Sequence, residues 1–197
     1  MNFPLIYLAS RSPRRKAILK EAKIPFRVVP SNYPEKTVLR NPRKTVLQNA
    51  IGKATHVQSK LTQARIKKGI ILGADTIVYL RGQIIGKPKS REGALRMLRK
   101  LSGSTHDVYT GIALYHLKSQ KWKTACVRSR VKMRQLSTEM IRYYHSKVSP
   151  LDKAGAYAIQ KHSDPLIAEI KGSYSNVVGL PIETLRDLLK KLTPPFC

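Results

Sequence analysis

The chain has 197 residues, of which 42% are apolar, so it can form a sizeable folded core and is not intrinsically disordered. No apolar run approaches the roughly 20 residues needed to cross a bilayer, and two cysteines are too few for a disulfide framework or a thiolate zinc site. The N-terminus lacks the basic-then-apolar order of a secretory signal, so we expect a cytoplasmic protein.

Charge is the unusual feature of the composition. Lysine and arginine total 38 against 11 aspartates and glutamates, a formal net charge of +27. Such an excess attracts polyanions, nucleic acid first among them. The cations are spread along the chain without a basic tail, so a general bias toward basic surfaces explains the charge equally well. The scarcity of carboxylates limits any metal or acid–base site to a few side chains.

The N-terminal half alternates strand-like and helix-like patterns. An apolar run at residues 4–9 predicts a buried strand, and Ser12-Pro13 then predicts the start of a helix that ends near Lys23. Residues 25–29 predict a second strand, 30–41 a polar loop and 45–61 a helix. Residues 70–72 predict a short buried strand. Residues 76–80 and 83–85 predict a hairpin that turns at Arg81-Gly82.

The C-terminal half continues the alternation. Residues 91–101 predict a helix, and 108–117 and 122–133 predict paired strands. Ser137 begins another helix, 167–170 and 174–178 predict strands, and a last helix covers 182–192 after Pro181. This mixture predicts an α/β or α+β fold with a mixed sheet. We expect a single domain, 1–197, with two lobes that share one cleft, residues 87–149 forming much of one lobe.

The stretch LASRSPRR (residues 8–15) predicts an anion site at the start of the first helix. A helix N-terminus favours negative charge, Ser10 and Ser12 supply hydroxyl donors, and Arg14 and Arg15 can fork onto phosphate oxygens. Two arginines in a first turn also oppose the helix dipole unless an anion sits there. The alternative is an ordinary Ser-Pro helix start with solvated arginines. The glycines of a nucleotide-binding loop are missing.

Two further stretches carry candidate ligands. In GADTIV (residues 73–78), Asp75 lies beside two small residues after a buried strand, where a carboxylate can hold Mg²⁺ or orient a water. The alternative is an aspartate that begins a turn. Lys87 follows the hairpin and can bring an ammonium to the same place. In DKAGAYAIQ (residues 152–160), Gln160 offers a donor and an acceptor that suit a base edge, or it is simply solvated.

Taken together and in order, these motifs resemble one family. LASRSPRR, GADTIV, GKP (86–88), LSGSTHDVYTG (101–111), DKAGAYAIQ and GSYSNVVGLP (172–181) match the pattern of Maf proteins over nearly the whole chain. Maf proteins are nucleoside triphosphate pyrophosphatases related to the inosine triphosphate pyrophosphatases. The resemblance implies an elongated mixed sheet flanked by helices around a central cleft. It also implies a cytoplasmic, often dimeric enzyme that cleaves between the α- and β-phosphates.

The resemblance also implies roles for individual residues. Asp75 matches the family's catalytic acid, described as the proton acceptor for the attacking water. The positions that line the phosphate and metal site are matched by Ser10, Arg15, Glu35, Lys53 and Lys87. Glu35 and Asp75 are thus the implied ligands of a divalent cation, Mg²⁺ or Mn²⁺. The family usually has an acidic pair where this chain has Pro34-Glu35, which leaves the number of bound metals open.

Three positions divide the family by substrate. Arg14, Thr76 and Gln160 match the branch that acts on dTTP and UTP, whereas the branch that favours 7-methyl-GTP usually has Trp, Gln and Glu there. The resemblance therefore implies a dTTP/UTP pyrophosphatase, with modified pyrimidine nucleotides as further candidate substrates. The segment 161–165 lacks the family's usual glycines, so a loop near the base differs from the common pattern.

Two other functions remain as alternatives. The first is a nucleic-acid-binding or cell-division regulatory protein that acts through its basic surface. The sequence contains no helix-turn-helix signature and no aromatic platform, so we expect nucleic acid to bind only through non-specific charge. The second alternative is the same enzyme with a preference for 7-methyl-GTP.

Overall fold

The computed structural model describes residues 3–159 and 165–192, which form a mixed sheet with helices on both faces. The strands are β1 (Ile6–Leu8), β2 (Phe26–Val28), β3 (Ile70–Leu80), β4 (Gln83–Ile85), β5 (Thr105–His116), β6 (Trp122–Met133) and β7 (Ile167–Lys171). The helices are α1 (Pro13–Glu21), α2 (Pro42–Gln63), α3 (Arg91–Leu101), α4 (Thr138–Lys147), α5 (Tyr174–Val178) and α6 (Ile182–Leu192). A short 3-10 turn spans Ala154–Ala156.

The sheet has the strand order β2-β1-β3-β5-β6-β7, with β4 paired to the far end of β3. β1 runs parallel to both β2 and β3, and the pairs β3–β5, β5–β6 and β6–β7 are antiparallel. The predicted α/β class, mixed sheet and flanking helices are therefore confirmed. No described helix is both long and apolar enough to cross a membrane.

The helices divide unequally between the two faces of the sheet. Helix α2 packs on one face, where its apolar stripe contacts Ile71 and Ala113. The opposite face carries two separate apolar clusters, one around α1 and α6 and one around α3 and α4. Along β3, Ala74 belongs to the first of these clusters and Val78 to the second, so Thr76 lies between them. The functional side chains gather at this junction.

Strand β3 corrects one prediction. Residues 70–72 and 76–80 were expected to be two strands, but Ile70–Leu80 is continuous, and Asp75 pairs with Gly111 inside it. The glycine that interrupts the apolar pattern serves helix packing. A Cβ on Gly73 would lie 2.0 Å from the Ala50 carbonyl oxygen of α2, and one on Gly111 would lie 2.4 Å from that of Val46. Gly73 and Gly111 thus allow α2 to pack closely against β3 and β5, and Asp75 lies beneath the helix.

The segment Tyr174–Val178 corrects another prediction, since it forms helix α5 and not a strand. Its aromatic and β-branched residues favour a strand, but the local caps favour a helix. The Ser173 hydroxyl accepts a hydrogen bond from the backbone N–H of Asn176, and Gly179 ends the helix with a φ of 126°. This helix brings the Gly179 carbonyl to the site described next.

Candidate active site

A cavity of about 420 Å³ opens at the junction of the two clusters. Its lining combines polar and charged side chains with the apolar side chains of Val78, Val108, Tyr157 and Val177, which pack in one cluster. The predicted site residues that line it are Ser10, Arg14, Arg15, Glu35, Lys53, Asp75, Thr76 and Lys87. Gln160 lies outside the described residues. These predicted residues come from five separate segments of the chain, which thus converge on one cavity.

Arg15 is the buried cation of the site. Its Nη1 donates to the Ser10 hydroxyl at 3.0 Å, its Nη2 to the Thr76 hydroxyl at 3.1 Å and its Nε to the Gly179 carbonyl at 2.9 Å. Burial lowers its pKa, although Asp75 and Glu35 act in the opposite direction. No described carboxylate forms an ion pair with it, so three neutral oxygens hold a buried positive charge beside the cavity. A bound anion would compensate that charge.

Arg14 points to a different partner. Its Nη1 lies 3.3 Å from Asp152 Oδ2, and Asp152 also pairs with Lys153. Lys153 is itself buried and donates to the Ser149 carbonyl. The start of α1 is therefore tied to the segment that precedes Gln160, and the two neighbouring arginines serve different sides of the cavity.

Lys53 lies between two carboxylates. Its ammonium is 2.8 Å from Glu35 Oε1 and 2.7 Å from Asp75 Oδ1. Lys87 contacts Glu35 from the solvent side, at 3.1 Å. Burial of the Glu35 carboxyl acts to raise its pKa, but the ammonium groups of Lys53 and Lys87 outweigh burial and hold that pKa at about 2. Glu35 is therefore ionised throughout the neutral range.

Glu35 and Asp75 are the carboxylates that would hold a divalent cation. Both oxygens already approach one cationic atom, and carboxylate oxygens are the ligands that Mg²⁺ prefers. No group of three or more acidic, histidine or cysteine side chains that could hold a metal occurs in residues 3–159 and 165–192. Mg²⁺ commonly takes its remaining ligands from water and substrate phosphates, so two carboxylates suffice for a site that is completed by a nucleotide.

Asn49 is a site residue that the sequence analysis missed. Its Nδ2 donates to Asp75 Oδ2 at 2.8 Å and to the Lys36 carbonyl at 2.9 Å, and its Oδ1 accepts from the Lys36 N–H at 2.8 Å. It thereby joins Asp75 to the loop that carries Glu35. A signal was present, because Asn49 stands four residues before Lys53 and so lies on the same face of α2.

Thr76 belongs to a chain of hydrogen bonds that runs from Arg15 through Thr110 to the Asn176 carbonyl. Its hydroxyl accepts from Arg15 and lies 2.9 Å from the hydroxyl of Thr110, which is fully buried and donates to the Asn176 carbonyl at 3.1 Å. The Thr76 hydroxyl also lies 3.4 Å from the Gly179 carbonyl, so both groups that can accept its hydrogen, the Thr110 hydroxyl and this carbonyl, lie inside the protein. The sequence analysis missed Thr110, which stands opposite Thr76 in the antiparallel register of β3 and β5.

The apolar side of the cavity is supported by a buried histidine. The Tyr157 hydroxyl lies 2.6 Å from His106 Nε2, and the two rings meet edge to face. Burial lowers the pKa of His106 to about 4, so the imidazole is neutral at physiological pH. Sequence analysis assigned neither residue a role. Tyr157 thus gives the cavity an aromatic wall, and His106 holds its ring in place from outside the lining.

Comparison with known proteins gives consistent results. Residues 5–192 match the family profile described as Maf-like protein. A protein named dTTP/UTP pyrophosphatase from Clostridium tetani is 45% identical over 98% of this chain and 98% of its own length. A protein of the same name from Dictyoglomus thermophilum is 43% identical over 95% of this chain and 95% of its own length. Another from Gloeobacter violaceus is 44% identical over 93% of this chain and 94% of its own length.

Proposed function

The chain belongs to the Maf family, and from that membership we propose that it is a nucleoside triphosphate pyrophosphatase that hydrolyses dTTP and UTP. The products are the nucleoside monophosphate and pyrophosphate. The observation that carries the proposal is the mixed polarity of the cavity lining, which combines cationic and hydroxyl groups with apolar side chains and an aromatic ring. A nucleotide has the matching polarity, with a charged triphosphate at one end and a flat base at the other.

The triphosphate binds on the charged side. Arg15 donates hydrogen bonds to the triphosphate oxygens, which replace some of the neutral protein oxygens that hold its guanidinium in the free protein. The backbone N–H groups at the start of α1 add a positive field. Lys53 and Lys87 supply further positive charge beside the path of the leaving pyrophosphate. Cations placed in advance around a charge-dense chain are the main device of phosphoryl-transfer catalysis.

Asp75 orients the water that attacks the α-phosphorus. Each of its oxygens accepts one hydrogen bond, from Lys53 and from Asn49, and a carboxylate oxygen retains capacity for a second. The water oxygen bonds to the α-phosphorus while the bond to the bridging oxygen breaks; pyrophosphate leaves with the electron pair, and the proton released by the water passes to the Asp75 carboxylate. Mg²⁺ or Mn²⁺ held by Glu35 and Asp75 would neutralise phosphate charge when bound.

Base selection is assigned to Arg14, Thr76 and Gln160. The relatives named dTTP/UTP pyrophosphatase support the pyrimidine preference. Exchange of the three residues for Trp, Gln and Glu tests the alternative specificity. A shift toward 7-methyl-GTP supports control by these positions, and an unchanged profile contradicts it. Cytoplasmic location and a homodimer stay predictions.

The test is pyrophosphate release from a panel of nucleoside triphosphates, with and without Mg²⁺ or Mn²⁺. We expect metal-dependent release from dTTP and UTP, lost in Asp75→Asn. The matched control is Asp187→Asn, which removes an exposed carboxylate on α6 far from the cavity lining. Thermal unfolding of both variants separates loss of chemistry from loss of fold. Substantial turnover by a folded Asp75→Asn protein would refute the role of Asp75, and no release from any nucleotide would refute the function.

A further inference from the structure

Helix α2 leaves one end of its sheet face uncovered. Where it crosses the sheet, Gly73 and Gly111 lie against its backbone. Side chains alternate along strands, so Tyr79 on β3 and Tyr109 on β5 continue the same face past the start of the helix. Neither tyrosine belongs to any of the three apolar clusters of the described residues, and both are partly exposed.

The neighbouring strand adds arginines to this surface. In the β5–β6 register, Arg128 stands opposite Tyr109 and Arg130 opposite Asp107. We call Tyr79, Tyr109, Arg128, Arg130 and Asp107 the tyrosine–arginine patch. The tyrosine rings meet edge to face with centroids 6.1 Å apart, and the Arg128 guanidinium lies 6.0 Å from the Tyr109 ring centroid. None of the five residues lines the cavity.

The charge of the patch is positive. Asp107 Oδ2 pairs with Arg128 Nη2 at 2.9 Å, and its Oδ1 with Arg130 Nε at 3.4 Å. Each contact engages one nitrogen of a guanidinium that carries five N–H donors, and the two arginine side chains are 47% and 55% exposed. Asp107 therefore orders both arginines beside the rings and neutralises only one of their charges. Arg43, at the start of α2, lies close enough to Cys126 to affect the pKa of its thiol, and so adds charge nearby.

We propose that the tyrosine–arginine patch binds single-stranded nucleic acid with little sequence preference. Partly exposed aromatic rings on an open sheet face offer stacking surfaces to unpaired bases, and adjacent arginines contact the phosphates. The net charge of +27 attracts such a polyanion over long range. A second copy of the chain is a poorer occupant, because a two-fold contact would place arginines of like charge against each other.

An aromatic platform is not visible in the sequence because Tyr79 and Tyr109 stand on different strands and share no motif. Only the register of β3 and β5 brings the two rings together. Charge alone does not distinguish single strands from duplexes. The rings of the tyrosine–arginine patch would favour single strands, because stacking hides the base faces in a duplex.

Fluorescence anisotropy with a labelled oligodeoxyadenylate of about 20 nucleotides tests the proposal. A purine strand avoids the pyrimidines assigned to the active site. The test variant is Tyr79→Val/Tyr109→Val, which keeps the charge and the preference for strand. The charge control is Lys67→Ala/Lys68→Ala, in an exposed loop. Tyr79→Phe/Tyr109→Phe retains the rings and serves as the rescue. Hydrolysis of dTTP and thermal unfolding show that each variant is folded.

We expect the valine variant to bind the single strand roughly tenfold or more weakly, since stacked bases contribute strongly to such affinities. The phenylalanine variant should bind like the wild type, and a duplex of equal length should bind less tightly than the strand. Equal affinity of the wild type and the valine variant would overturn the proposal, and so would equal binding of duplex and strand. A wild-type dimer that the valine change dissociates, with oligonucleotide affinity unaltered, would instead identify a self-association surface.

Discussion

Asn49 offers the sharpest test of how the site is held together. The change Asn49→Leu keeps the approximate side-chain volume and removes three hydrogen bonds, two to the Lys36 backbone and one to Asp75. Bonds between neutral groups contribute about 1 kcal/mol each, and a bond to a carboxylate about 2 kcal/mol. Lys36 lies in an exposed loop where water replaces part of the loss, so we expect the free energy of unfolding to fall by about 3 kcal/mol.

The effect on catalysis separates a positioning role from a merely structural one. Without Asn49, Lys53 is the side-chain partner that Asp75 keeps among the described residues, and the loop that carries Glu35 loses its Lys36 contacts and is joined to Asp75 through Lys53. A misplacement of about 1 Å at a reacting group can lower the rate about a hundredfold. We therefore expect kcat for dTTP to fall at least tenfold, with a smaller change in KM because Arg15 still holds the triphosphate.

Urea unfolding and steady-state kinetics measure the two effects on the same protein. With a denaturant slope of about 2 kcal/mol per molar urea, the midpoint should fall by about 1.5 M. Gln48→Leu is the matched control, since it replaces an exposed amide on the same helix and should change neither quantity by much. If Asn49→Leu loses stability as expected but keeps its kcat, the hydrogen bond to Asp75 plays no part in catalysis.

Three further predictions concern single residues. The carboxylate of Glu35 has a pKa of about 2 instead of 4.5, so its ion pairs stabilise the fold fully above about pH 4.5 and lose that contribution as the pH falls toward 2. In urea unfolding at different pH values, the stability advantage of the wild type over Glu35→Gln should therefore decline across this window. A constant difference would contradict the ion pair with Lys53. Thr110→Val should raise KM for dTTP by roughly tenfold and cost about 1 kcal/mol of stability, because it breaks the hydrogen-bond chain behind the buried arginine, while the Asn176 carbonyl keeps its hydrogen bond from the Gly179 N–H. Gly73→Ala should destabilise the fold by roughly 3 kcal/mol in thermal unfolding, since its Cβ would lie 2.0 Å from the Ala50 carbonyl oxygen, and a neutral effect would show that α2 can shift.

Local signals account for the parts of the fold that the sequence predicted well. Ser12 and Pro13 mark the start of α1 with groups that act within one turn, and the structure has the predicted cap there. At Tyr174–Val178 two local signals disagreed, and the caps at Ser173 and Gly179 prevailed over β-propensity. At Gly73 the deciding contact comes from α2, more than twenty residues earlier, so no local pattern could distinguish a strand end from a helix crossing.

In the candidate site, too, local sequence signals could be predicted and tertiary contacts could not. Residues inside recognisable motifs, such as Ser10, Arg15 and Asp75, were predicted and do line one cavity. Asn49 and Thr110 were missed because their roles depend on tertiary partners, a loop carbonyl in one case and a cross-strand hydroxyl in the other. Their side chains act on those of the motif residues, and that relation appears only once the strands and helices are assembled.

The hydrogen-bond chain limits what Thr76 can do for base selection. Its hydroxyl accepts from Arg15, and the acceptors within reach of its single hydrogen are the Thr110 hydroxyl and the Gly179 carbonyl, so that hydrogen is used inside the protein. A contact between that hydroxyl and a base would have to break the chain that holds the buried guanidinium. The residue at position 76 therefore helps to position Arg15. On the proposed function, Thr76 would act on specificity indirectly, through the place at which Arg15 binds the triphosphate, and direct contacts to the base would come from other groups of the cavity.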